Sequence, residues 1–135
     1  MGNVETIEAI YEAFGRGDLP AILDQLSDDV RWDVWDQASP VQDEIFYIRP
    51  RTGKDGVDEF FASLADLEFH KFEVLNILSG GEHAVAVIDF DITVKPTGKR
   101  LRDLEIHLYA FGSDGKVTAF RHVFDTAKHA EAQRI

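Results

Sequence analysis

HAVAVIDFDITVKPTGKRLRDLEIHLYAFGSDGKVTAFRHVFD, running from His83 to Asp125, decides the fold. Its apolar residues recur at every second position, the period of a strand with one face turned to a core. Two clusters of turn formers, Pro96-Thr97-Gly98-Lys99 and Gly112-Ser113-Asp114-Gly115, interrupt the alternation, and Gly80-Gly81 precedes it. The spacing therefore predicts four antiparallel strands, over 69–79, 83–95, 100–111 and 116–125. A short polar helix over 126–134 closes the chain, with Asp125 as its N-cap.

Upstream the period changes from two to 3.6. Val4, Ile7, Ile10, Tyr11 and Phe14 predict a helix over 4–15, with Asn3 able to cap it. Gly15-Arg16-Gly17-Asp18 ends that helix, and Asp18 with Pro20 opens a second one through Leu26. Val30-Arg31-Trp32-Asp33-Val34-Trp35 alternates as a strand. Residues 36–52 contain Pro40 and Pro50 and show no period, which predicts a long loop of the kind that often serves as a lid. A third helix begins near Lys54, its buried stripe being Val57, Phe60, Phe61 and Leu64. Helices first and a strand meander second make a single α+β domain over 1–135, a curved antiparallel sheet packed on N-terminal helices.

Composition narrows the chemistry. The chain has 135 residues, and 14 Lys+Arg against 25 Asp+Glu give a net charge of −11. Such a charge repels phosphate backbones and anionic headgroups, so neither nucleic acid nor a membrane surface is expected as a partner. The one basic cluster, Lys95, Lys99, Arg100 and Arg102, surrounds a hairpin turn. There is no cysteine, which excludes thiolate nucleophiles, disulfides and cysteine-bound metals. No apolar run approaches the roughly 18 residues of a membrane span and no signal-peptide pattern opens the chain, so the expected location is cytoplasmic. Phosphate loops, dinucleotide fingerprints and nucleophile elbows are absent, and no cofactor is expected.

Symmetric turns would place Ile92 opposite Asp103, Phe90 opposite Glu105 and Ile88 opposite His107. On the next pair they would place Phe124 opposite Asp103, His122 opposite Glu105 and Phe120 opposite His107. One sheet face then carries Asp103, Glu105, His107 and His122 among aromatic rings, a set suited to general acid–base work. His122 is the expected proton-transfer group, Glu105 its orienting partner across the strands, and His107 the residue that meets a substrate oxygen. Tyr11, Trp32, Trp35, Phe60, Phe90, Asp103, Tyr109, Phe120 and Phe124 are the expected pocket walls. Asp103, Glu105 and His107 alternate as hard-metal ligands could, but residues two apart on one strand splay by nearly 7 Å, so no metal is expected. His70, His83 and His129 fall at element ends or in the tail and are expected to be solvated. The opposite face, with Val85, Val87, Leu104, Ile106, Leu108 and Val123, is apolar too, and a second copy of the chain is its simplest cover.

The opening Glu5-Thr6-Ile7-Glu8-Ala9-Ile10-Tyr11-Glu12-Ala13-Phe14, with Gly17-Asp18 and Leu26-Ser27-Asp28-Asp29-Val30-Arg31-Trp32, resembles the start of a SnoaL-like protein of the nuclear transport factor 2-like superfamily. Gly53-Lys54-Asp55-Gly56-Val57, Phe111-Gly112-Ser113-Asp114-Gly115-Lys116-Val117 and Phe120-Arg121-His122-Val123-Phe124-Asp125 are similar to its helix entry and final hairpin. The resemblance implies a cone-shaped α+β barrel around an apolar pocket, in a homodimer. It also implies an isomerase, cyclase or dehydratase type of reaction on a small hydrophobic, cyclic or carbonyl-bearing compound, or a binding module that uses the pocket without chemistry. SnoaL-like cyclases are similar in placing a histidine where His107 stands. They carry an acid on the last strand where this chain has His122.

Overall fold

The structure is a computed structural model and describes residues 2–135. Helix α1 spans Asn3–Gly15 and buries Thr6, Ile7, Ile10 and Ala13. It begins one turn position earlier than the apolar pattern suggests: Gly2, not Asn3, is its N-cap, with no side-chain cap bond. Helix α2 is only Leu19–Leu23, started by the Asp18 carboxylate accepting from the Ala21 N–H and by Pro20 in its first turn. The chain is already in strand β1 at Leu26–Trp32, so the expected helix through Leu26 is overturned and the strand ends before Trp35.

The expected loop over 36–52 contributes side chains to the core and is not without secondary structure. It holds helix α3 (Val41–Glu44), a 3-10 turn at Phe46–Ile48 and strand β2 (Arg51–Thr52). Ile45, Tyr47 and Ile48 are buried, and Gln42 bridges the segment by donating to the carbonyls of Asp33 at 2.7 Å and Ile48 at 3.1 Å. Apolar residues without a period thus filled a core from short irregular turns, which periodicity cannot detect.

Helix α4 (Gly53–Ser63) follows, burying Val57 and Phe60, and a 3-10 turn leads into the long strands β3 (Leu67–Gly80), β4 (His83–Val94), β5 (Lys99–Phe111) and β6 (Val117–Val123). Helix α5 (Thr126–Ala132) closes the chain, with the Asp125 carboxylate accepting from the Lys128 N–H. The six strands make one open, curved sheet in the order β2-β1-β6-β5-β4-β3. It is not wholly antiparallel, because β1 runs parallel to β6.

Both expected registers slip by two residues. On β4–β5, Phe90 faces Asp103 and Ile88 faces Glu105. The left-handed residue Gly98 (φ +74°) ends the turn one position earlier than assumed, and Lys99 is back in the ladder opposite Val94. On β5–β6 the ladder closes at Phe111 opposite Val117, and a bulge before Ala110–Ala119 adds another residue. His107 therefore faces His122, and Tyr109 faces Phe120. A slip of two keeps every side chain on its face, so the division of the sheet into two faces survives while the pairs across it change.

Candidate active site

The concave face of the sheet, α1, α4 and the Tyr47 segment enclose a cavity lined chiefly by aromatic rings. Tyr11, Trp32, Phe60, Phe90, Tyr109 and Phe120 all line it, with Glu105, His107 and His122 as its polar groups. Its empty space is about 560 Å³ including the mouth.

Trp35, Asp103 and Phe124 do not line the cavity. Trp35 lies past the end of β1, its ring 4.5 Å from the guanidinium of Arg121 on the opposite side of β6 from Phe120 and His122. Asp103 and Phe124 lie under α5, where Phe124 stacks on His129 with centroids 3.6 Å apart. Three of the four cations of the basic cluster at the β4–β5 turn have acidic partners: Lys99 pairs with Glu131, and Arg100 and Arg102 share Asp91.

His122 is held by an acid, but not the expected one. Asp33 Oδ2 lies 2.6 Å from His122 Nδ1, and its Oδ1 accepts from the His122 backbone N–H at 2.8 Å. Asp33 is fully buried and left-handed (φ +55°), a conformation that Asp tolerates better than most residues. This backbone turn ends β1 and folds the carboxylate back onto β6, while the Asp33 N–H still donates to Phe120 O. The alternating pattern over 30–35 hid it. The one available signal was an Asp between Trp32 and Val34, at the point where the strand leads into irregular chain.

Glu105 pairs instead with His107, two residues along β5, at 3.0 Å from Nε2. His107 Nδ1 is 2.7 Å from the Tyr11 hydroxyl, and Tyr109 donates to Tyr11 at 2.9 Å. A carboxylate can only accept, so His107 carries its proton on Nε2 and Tyr11 donates to Nδ1. Burial pushes the Tyr11 phenol well up, reinforced by Tyr109 and Glu105, so that donor keeps its proton.

The buried charges divide. Burial lowers the pKa of His107 against the pull of Glu105, leaving a neutral ring with both nitrogens engaged. Burial also works against the ionised forms of Glu105 and His122, but partners outweigh it in both. The His107 hydrogen bond and neighbouring imidazoles hold Glu105 below the usual carboxylate range. Asp33, with help from Glu105, holds His122 above the usual imidazole range. The neighbours thus favour the carboxylate form of Glu105 and the imidazolium form of His122, each group being oriented by a different partner.

One ligand atom from each of Glu105, His107 and His122 lies within 4.8 Å of the others. A metal ligated by His107 there would have to displace either Glu105 or Tyr11, because both His107 nitrogens already have partners. His129 departs from expectation: it is completely buried, its Nδ1 2.6 Å from the Tyr47 hydroxyl and its Nε2 3.1 Å from Asp103. His70 and His83 are exposed at or near strand ends, as expected.

Known proteins share this architecture. A nuclear transport factor 2-like protein of unknown function from Burkholderia pseudomallei is 24% identical, with 98% of each chain covered and a TM-score of 0.80. A protein described provisionally as a SnoaL-like polyketide cyclase, from Mesorhizobium loti, is 22% identical over 91% of this chain and 99% of its own, with a TM-score of 0.69. Another provisionally described polyketide cyclase, from Pseudomonas putida, is 19% identical over 98% of each chain, with a TM-score of 0.71. No curated protein matches. At these identities the solved structures speak for the fold alone. The SnoaL-like domain itself matches residues 7–120, and the chain belongs to the SnoaL-like family.

Proposed function

We propose that the chain is a cofactor-independent acid–base enzyme acting on a small hydrophobic, cyclic or carbonyl-bearing compound, of isomerase, cyclase or dehydratase type. One observation carries this reading: a buried carboxylate and a buried imidazolium share an aromatic cavity, their pKa values pushed apart by separate partners. Glu105 removes a proton next to the ligand carbonyl, and His122 gives one to the developing oxyanion. Asp33 orients His122, and His107 holds Glu105 rather than reacting itself. The polyketide cyclase descriptions of the Mesorhizobium and Pseudomonas proteins agree with that class.

The test is hydrogen–deuterium exchange at the α-carbons of 2-tetralone, followed by NMR. The wild type accelerates exchange, and His122→Ala or Glu105→Gln reduces the rate by about 10²-fold with the fold intact. A wild type that binds the ketone without accelerating exchange defeats the proposal. The alternative then stands, a small-molecule-binding or dimerisation module of the same fold without chemistry.

The convex sheet face supports a homodimer as the working form. Leu78, Leu104 and Val123 are exposed there, and Lys71 pairs with Asp89 on the same sheet. Apolar residues mixed with both charges suit a self-complementary two-fold contact. Light scattering that returns a monomer at micromolar concentration contradicts it.

A further inference from the structure

Beneath α5 lies a second arrangement with the same logic as the Tyr11–His107–Glu105 chain. Asp103 Oδ2 faces His129 Nε2 at 3.1 Å, His129 Nδ1 faces the Tyr47 hydroxyl at 2.6 Å, and Gln133 Nε2 donates to that hydroxyl at 3.3 Å. The carboxylate accepts only, so the His129 proton sits on Nε2 and Tyr47 must donate to Nδ1. The Tyr47 oxygen has then spent its hydrogen on His129 and one lone pair on Gln133. What it retains is one lone pair, on a residue of the cavity wall. His129 cannot drift from this geometry, because its ring stacks on Phe124 at 3.6 Å and lies parallel to Phe90 at 6.0 Å.

We propose that Tyr47 is a hydroxyl-recognising subsite of the cavity, that Asp103 and His129 are the positioning residues that make it a hydrogen-bond acceptor, and that α5 is therefore part of the site. The inference rests on the reading of the cavity as a ligand site but not on its being catalytic. It adds to that reading the substrate class: a compound with a hydroxyl or enol in addition to the group that meets His122. The same accounting applies at Tyr11, whose hydrogen goes to His107 and whose oxygen accepts from Tyr109. Tyr109 likewise spends its hydrogen on Tyr11, so three phenols and Glu105 accept, while His122 donates. A ligand that fits must bring donors of its own.

The probes are 2-naphthol and its methyl ether, 2-methoxynaphthalene, which differ in one donor. Fluorescence titration is expected to show 2-naphthol bound about 5-fold tighter by the wild type. Replacing the imidazole by His129→Phe frees the Tyr47 hydrogen to point at the ligand, so the preference falls to unity or reverses toward the ether. A role limited to holding α5 would weaken both probes equally. Nitrogen-15 NMR of the wild type gives a readout that does not depend on the variant folding. His129 shows the Nε2–H tautomer, and its Nδ1 resonance moves with 2-naphthol but not with the ether, since a donor to Tyr47 strengthens the next bond in the chain. Three results overturn the proposal: no preference in the wild type, a response at His107 in place of His129, or an unchanged preference in His129→Phe. Failure of both probes to bind also counts against it. Lost exchange on 2-tetralone with these signatures intact removes the catalytic reading and leaves this one standing.

Discussion

Strand β5 carries two carboxylates two residues apart on one face, and each starts a chain of acid, imidazole and phenol: Glu105–His107–Tyr11 and Asp103–His129–Tyr47. The hydrogen-bond directions are the same in both. What differs is the origin of the histidine and the company it keeps. His107 comes from the same strand as its acid and faces His122, so Glu105 feels a second imidazole held charged by Asp33. His129 comes from a terminal helix, and Asp103 also accepts from the Asp125 N–H near the start of that helix and lies 3.8 Å from the Lys128 amine. Glu105 and His122 act on His129 as well, so the two chains share buried charges; what separates them is that Glu105 and His107 line the cavity, whereas Asp103 and His129 lie beneath the last helix.

That contrast can be broken most directly with paired variants. Glu105→Gln is expected to lower exchange on 2-tetralone by about 10²-fold, whereas Asp103→Asn, in the second chain, lowers it by less than about 10-fold, because this ketone has no hydroxyl for Tyr47 to read. Equal losses would erase the distinction between the two chains.

A smaller effect sharpens it. If Asp33 is what keeps His122 charged, the wild-type rate holds above pH ~6.5, the ordinary imidazole value, and falls as His122 loses its proton at higher pH. Asp33→Asn removes the main upward influence, burial then dominates, and the alkaline limb moves below the wild-type one. An unmoved limb in that variant's pH–rate profile would assign it to another group.

Smallest is the pH dependence of stability. His107 and His129 have folded pKa values below the unfolded one, chiefly through burial, so the unfolded state binds more protons and stability falls as pH drops below ~6.5. His122 has the opposite sign: its contribution is complete below ~6.5 and is lost as pH rises through its raised folded value. Chemical denaturation across pH is therefore expected to show a maximum near pH ~6.5. His129→Gln flattens the acid side only, and a change confined to the alkaline side would contradict the assignment.

The residues themselves determined much of this. Period-two runs between turn formers specified the four long strands, and helical spacing specified α1 and α4, because burial of one face is a property of local order along the chain. Parity placed Glu105, His107 and His122 on one face, and a register error of two in each hairpin left that intact. Resemblance pointed to the family. Tertiary structure alone decided the pairings. Asp33 reaches His122 across 89 positions because a left-handed turn ends β1 beside β6, and Tyr47 reaches His129 across 82 because an aperiodic segment packs under the last helix. Such contacts leave no periodic trace, since they depend on where elements dock and not on how each repeats. The same docking buried His129, which its place in a polar tail suggested was solvated, and turned Trp35 toward Arg121 instead of the cavity.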